Sequence, residues 1–225
     1  MPYSVRENTF DGALKTIIDQ FAKLNEEYES SAEDAAHWYT EGTSTALLSA
    51  AAWKSGYPAL CETGSIKSKL TGKRGRPQIS KGRVDLFLHL DKTPYWIEAK
   101  KVHDSMDASE VSEYLVSKKR LSRWFWFSYE SALKNRKTAE QYDGMIGCMV
   151  FCSFILNSEY YAGANDYQRR KARAEYINDI LNDVVNEDGS ASYFASFFNT
   201  SDDVISDEFD NRAFGFAVLG YFESA

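Results

Sequence analysis

The stretch Arg83–Lys101 reads RVDLFLHLDKTPYWIEAKK and sets three ionisable groups, Asp85, Glu98 and Lys100, inside two apolar runs. Burying a charge is expensive unless a partner compensates it, so ionisable groups in core-like strands call for a reason. Strand side chains alternate between faces. In the first run Val84, Leu86, Leu88 and Leu90 share one face, and Asp85, Phe87 and His89 the other; in the second, Trp96, Glu98 and Lys100 share a face. Closing a hairpin over Asp91–Pro94 sets Leu90 opposite Tyr95, Phe87 opposite Glu98 and Asp85 opposite Lys100. Directly opposite residues point the same way, so Asp85, Glu98 and Lys100 emerge together. A two-residue slip of register preserves that grouping, whereas a one-residue slip breaks it.

Two carboxylates on a cross-strand diagonal, roughly 7–8 Å apart at the backbone, can lean onto one hard cation. Mg²⁺ prefers oxygen ligands, keeps several waters and is held by one or two carboxylates. Asp85 and Glu98 suit that role, with the carbonyl of Ala99 as a further ligand. A metal held there polarises a phosphate oxygen and lowers the pKa of a bound water. Lys100 would hold the attacking water and offset charge on the phosphate, which makes phosphodiester hydrolysis the expected chemistry. The plain alternative is a polar sheet edge on which Asp85 and Lys100 form an ion pair worth about 0–1 kcal/mol. Phe87 and Trp96 on the same face argue against full solvation.

The elements that must position these groups follow from apolar periodicity. Leu14, Ile17, Ile18, Phe21, Leu24 and Tyr28 form a helical stripe over residues 11–28, and a second helix is expected from about 33 to 55, with Gly56 as its C-terminal cap. Residues 60–70 read as a strand or a loop, and Gly72 to Gly82 as a flexible basic loop. Strands over 83–90 and 95–101 come next, then one long helix or two over 105–137. Residues 145–156, MIGCMVFCSFIL, are short and continuously apolar, as in a strand buried on both faces. A helix over 166–185 and a last strand over 213–222 complete the chain. That helix is read with Tyr176, Ile177, Ile180, Leu181 and Val184 inward, and with Arg169, Arg170, Lys171 and Arg173 facing a ligand or solvent. With no internal repeat or low-complexity linker, the 225 residues are expected to form one α/β domain.

Asp85 followed by Glu98-Ala99-Lys100 resembles the hallmark of the PD-(D/E)xK phosphodiesterase superfamily, the fold of many restriction endonucleases. No other acid–any–lysine triplet occurs in the chain, and Val84 stands where the family usually has proline. The resemblance implies a restriction endonuclease-like αβββαβ core, a central mixed sheet flanked by helices, over about 33–156. Residues 1–32 would be an N-terminal helical extension, and 157–225 a helix and strand added at the C-terminus. It also implies cleavage of DNA, less often RNA, with Mg²⁺, for which Mn²⁺ can substitute. Many members add an acid from the helix before the sheet. Glu41, which would share a helix side with Thr45, Leu48 and Ala52, is the candidate, and Glu62 its rival. A non-cleaving module of the same fold that holds nucleic acid or protein, and an RNA-processing nuclease, stay open as alternatives.

The net charge of −7 argues against a protein that coats nucleic acid. The charge is unevenly spread, however: residues 66–84 carry seven Lys and Arg and no acid. Lys73, Arg74, Arg76, Lys81 and Arg83 are therefore expected to contact phosphates, against the alternative of a solvated loop. Lys118, Lys119, Arg120 and Arg123 would line the same groove or form an ordinary charged helix face. Trp124 to Phe127 would stack on bases, or enter a core or dimer contact. A double-strand cutter of this size needs two active sites and would call for a homodimer. Three cysteines without a paired framework fit reduced thiols and a cytoplasmic setting, with Cys148 and Cys152 as buried small side chains. No apolar run reaches the roughly 18 residues of a membrane span. His37, His89 and His103 lack metal-binding spacing.

Overall fold

The computed structural model describes residues 3–32, 35–69, 78–106, 118–157, 166–186, 192–199 and 211–225. Among them, one seven-stranded mixed sheet is flanked by helices on both faces. In chain order the elements are β1 (Val5–Asn8), α1 (Gly12–Ala32), α2 (Glu41–Lys54), β2 (Ala59–Lys69), β3 (Gln78–Leu90), β4 (Thr93–Met106), α3 (Lys118–Ala132), α4 (Arg136–Glu140), β5 (Met145–Asn157), α5 (Asp166–Asn186), β6 (Ser192–Phe198) and β7 (Asn211–Ser224). The strand order is β1-β6-β7-β5-β4-β3-β2. Only β4 and β5 are parallel, joined by a crossover that contains α3 and α4.

The fold class is the expected α/β, and the α2-β2-β3-β4-α3-β5 order reproduces αβββαβ. β5 occupies the fourth of seven positions, and Cys148 to Phe154 are buried without a break, as a central strand requires. α1 and α2 cover one face through Ile17, Phe21, Leu48 and Ala52. α3 and α5 cover the other through Leu121, Phe125, Ile177 and Leu181.

Several boundaries differ from expectation. The second helix starts at Glu41, where the Thr40 hydroxyl caps the N–H of Thr43; a separate 3₁₀ turn precedes it at Ala36–Trp38. It ends as expected: Gly56 takes φ +88, and its N–H bonds to the carbonyl of Trp53. Residues 78–82 are strand rather than loop, because β2 and β3 form a long hairpin that pairs Lys69 with Gln78. The N-terminal segment is more than helical, since β1 pairs with β6 and adds an edge strand. On α5, Tyr176 is exposed and Arg170 is buried, the reverse of the expected facing. Residues 107–117, including Val111, Tyr114 and Leu115, lie outside the described residues.

Candidate active site

Two irregularities of the sheet shape the site. The first is the β3–β4 turn. Asp91 and Lys92 both have positive φ, so a two-residue turn of the kind that matches strand twist closes the hairpin. Leu90 therefore faces Thr93 and Phe87 faces Trp96, a shift of two residues from the expected register. Pro94, expected in the turn, lies within β4, opposite His89.

The second irregularity is at Asp85. The β3–β4 ladder runs from Leu90/Thr93 to Leu86/Ile97, and Asp85 is the next residue outward. There its carboxylate accepts the N–H of Ala99 at 2.8 Å. On the other side Glu62 has φ +51 and interrupts the β2–β3 pairing between Cys61/Leu86 and Thr63/Val84. Side-chain alternation breaks at this point. Leu86, Leu88 and Leu90 pack toward α1 and α2, whereas Val84 packs with Trp96, Ala139 and Ile146. The expectation that Val84 shares a face with Leu86 is thereby corrected.

The kink puts Asp85 beside α2. Lys100 Nζ lies 4.0 Å from Asp85 Oδ2 and 3.4 Å from Glu41 Oε2, and it donates to the carbonyl of its neighbour Ala99. Three oxygens thus gather around one cation. Burial pushes the Glu41 carboxyl above its ordinary value against the pull of Lys100, and Asp85 and Glu98 push it further up. Glu41 is brought to the site by the helix side that buries Ser44, Thr45 and Leu48. Glu62, its rival, is solvent-exposed and paired with Arg83 at 2.7 Å.

Glu98 is only 4% exposed. Its Oε1 accepts from Lys67 Nζ and from Asn135 Nδ2, each at 2.8 Å, while Oε2 has no hydrogen-bond partner among the described residues. Asn135 is itself buried and accepts from Ser65, and Ser128 donates to the Glu98 carbonyl at 3.2 Å. The structure therefore brings Asp85, Lys100, Ala99 and Glu41 together and secures Glu98 separately. Lys67, Asn135, Ser65 and Ser128 were not foreseen as site residues, since each lies far along the chain from Glu98 with no local motif to mark it.

The chemistry of the donor set bears on whether a metal fits. Glu41, Asp85 and the Ala99 carbonyl offer hard oxygens, and a cationic ammonium already occupies the space between them, as a divalent ion of oxygen preference would. No group of three His, Cys, Asp or Glu side chains is arranged to hold a metal among the described residues, so the fit rests on two carboxylates and a carbonyl.

The expected phosphate contacts divide. Lys73, Arg74 and Arg76 lie outside the described residues. Lys81 is exposed, and Arg83 is turned to Glu62. On α3, Lys118 lies 4.0 Å from Asp183 of α5. Phe125 is buried in the core, whereas Trp126 and Phe127 are exposed. Among the described residues, no helix is long and apolar enough to cross a membrane.

No family model and no curated protein matches the chain. The crystal structure of SSO0001 is similar over 62% of this chain and 61% of its own, at 14% identity and a TM-score of 0.18. A likeness that loose carries no argument about fold or function.

Proposed function

We propose that the protein is a Mg²⁺-dependent phosphodiesterase that cleaves DNA. The observation that carries this reading is the gathering of Glu41 Oε2, Asp85 Oδ2 and the Ala99 carbonyl around the Lys100 ammonium, with the charge of the separately held Glu98 felt at Glu41. Asp85, Glu41, Glu98 and the Ala99 carbonyl would hold the ion, which when bound supplies a Lewis acid for a phosphate oxygen and an acidified water. With an ion between these oxygens, Lys100 would be displaced to their edge, where it would hold a water and offset charge building on the phosphate. Asp85 also ties β3 to β4 just beyond the end of their ladder, since its carboxylate accepts the Ala99 N–H.

The experiment is supercoiled-plasmid cleavage with Mg²⁺ or Mn²⁺ by the wild type and by Asp85→Asn, Glu98→Ala and Lys100→Ala. Loss of cleavage in all three variants is expected. Equal activity in all four proteins rejects the assignment.

A second reading, a non-cleaving binding module, is favoured by one observation: Glu98 is already paired with Lys67 and Asn135. Calorimetric Mn²⁺ titration separates the two. No heat and no thermal shift, with DNA still bound, selects the module.

A further inference from the structure

A cleft of about 470 Å³ opens between α4 and the β2–β3–β4 part of the sheet. Its size falls within the range of small-ligand pockets, roughly 300–1,000 Å³. Phe87 and Trp96, which face each other across β3 and β4, meet edge to face at 5.2 Å. Tyr142 stacks on Trp96 at 5.8 Å with rings 29° apart, yet remains 64% exposed. The turn after α4 fixes this arrangement: the N–H groups of Tyr142 and Gly144 both bond to the carbonyl of Ala139. A Cβ at residue 144 would come within 2.4 Å of the Trp96 ring, so only glycine lets the turn close over the indole. Lys92 and His89 stand among the lining residues, and the buried hydroxyl oxygen of Thr63 has no partner among the described residues.

The cleft is built from the same two strands as the candidate active site. Phe87 lies two residues from Asp85 and Trp96 two from Glu98, about 7 Å along a strand at roughly 3.3 Å per residue; the cleft opens on the α4 side of the sheet, whereas the Glu41–Asp85–Lys100 cluster stands at the α2 side. Lys92, among the lining residues, suits a phosphate, and the exposed face of Tyr142, backed by the buried Trp96, suits the flat face of a base. Bases inside a duplex already have both faces covered by their neighbours, so only an unstacked base can use such a ring.

We infer that this cleft binds an unstacked nucleobase, and that the strand it takes is single-stranded at that point. The inference rests on the nucleic-acid reading of the neighbouring site, and its test does not require cleavage. Fluorescence anisotropy in EDTA would follow binding of a labelled oligothymidylate and of a duplex of equal length to the full chain. The single strand is expected to bind more tightly. Tyr142→Ala should weaken its binding by about tenfold, the scale of one lost base–aromatic stack, while Tyr142→Phe binds as the wild type. The exposed position of Tyr142 keeps folding out of the comparison, which a thermal melt verifies. Wild-type binding by Tyr142→Ala, or equal weakening by Tyr142→Phe, overturns the cleft. If Tyr142→Ala loses affinity but plasmid is never cut, the cleft stands and the hydrolytic reading falls. If plasmid is cut in a Lys100-dependent way but Tyr142→Ala binds normally, the hydrolytic reading stands and the cleft falls.

Discussion

Lys67 on β2 reaches over β3 to donate from Nζ to Oε1 of Glu98 on β4, at 2.8 Å. Asn135 is the other donor to that oxygen, so removing Lys67 leaves a carboxylate only 4% exposed with half its compensation. Hydrogen bonds to charged groups contribute about 1.5–3 kcal/mol. Lys67→Met is expected to lower stability by an amount of that order, and the further change Glu98→Gln to recover much of it by removing the charge. Urea unfolding of the four proteins of this cycle measures the coupling. Simple additivity of the two single changes would show that the pair is not energetically linked.

The same pair affects metal binding if Glu98 joins the ligand set. A carboxylate neutralised by an ammonium is a poorer ligand than a free one. Lys67→Met is therefore expected to bind Mn²⁺ more tightly than the wild type in calorimetry without nucleic acid, and Glu98→Gln more weakly. Weaker binding in Lys67→Met would place Glu98 outside the metal site.

Glu41 gives a prediction whose sign follows from its raised pKa. Burial outweighs the attraction of Lys100, so the folded chain holds the Glu41 proton to higher pH than the unfolded chain does. Its contribution to stability is fully present below the unfolded pKa and is lost as pH rises through the folded one. Once ionised, the carboxylate is a net liability. Glu41→Gln should therefore melt above the wild type at pH 7, with the gap narrowing toward pH 4. A gap that is constant across this range would mean that the local field of Lys100 already balances burial.

The legible parts of this molecule are those whose signal is local. The stripe Leu14-Ile17-Ile18-Phe21 marks α1, and the unbroken run at 145–156 marks the central strand β5. Glu41 was readable because helix periodicity alone puts it on the side of Thr45 and Leu48. The hairpin carrying Asp85 and Glu98 was readable, but its register was not. Asp91 and Lys92 adopt left-handed backbone without the glycine or asparagine that usually announces it. β1 and β6 escaped notice because VREN has no apolar alternation, and SYFASFF is too short to separate from a buried helix turn by period. The partners of Glu98 are beyond any local pattern: Lys67 and Asn135 lie 31 and 37 residues away in the chain. Lys67 was grouped with the other basic residues of its stretch, since charge alone does not tell a phosphate contact from an internal counter-ion.

Lys101 is the neighbour of Lys100 in sequence, but its amine is held within the fold and not in the cluster with Glu41 and Asp85. Its amine donates to the carbonyl of His37 and to the hydroxyl of Ser153, with Ser44 at 3.5 Å, so it ties β4 to β5 and to the segment leading into α2. Burial lowers its pKa to about 8, partly countered by Cys152. Between that value and the ordinary 10.5 the unfolded chain keeps a proton that the folded chain has released. Stability therefore rises with pH through this window, and the penalty of the buried charge is present in full below it. Lys101→Met removes the titrating group. The stability of the wild type relative to this variant is expected to increase from pH 7 to pH 10, with a slope of at most one proton. Urea unfolding at four or five pH values measures the difference, and because all other titrating groups are shared they cancel. A difference that is flat with pH, or that falls, would show that the amine is solvated in the folded chain and does not hold the approach to α2 and Glu41 from within the core.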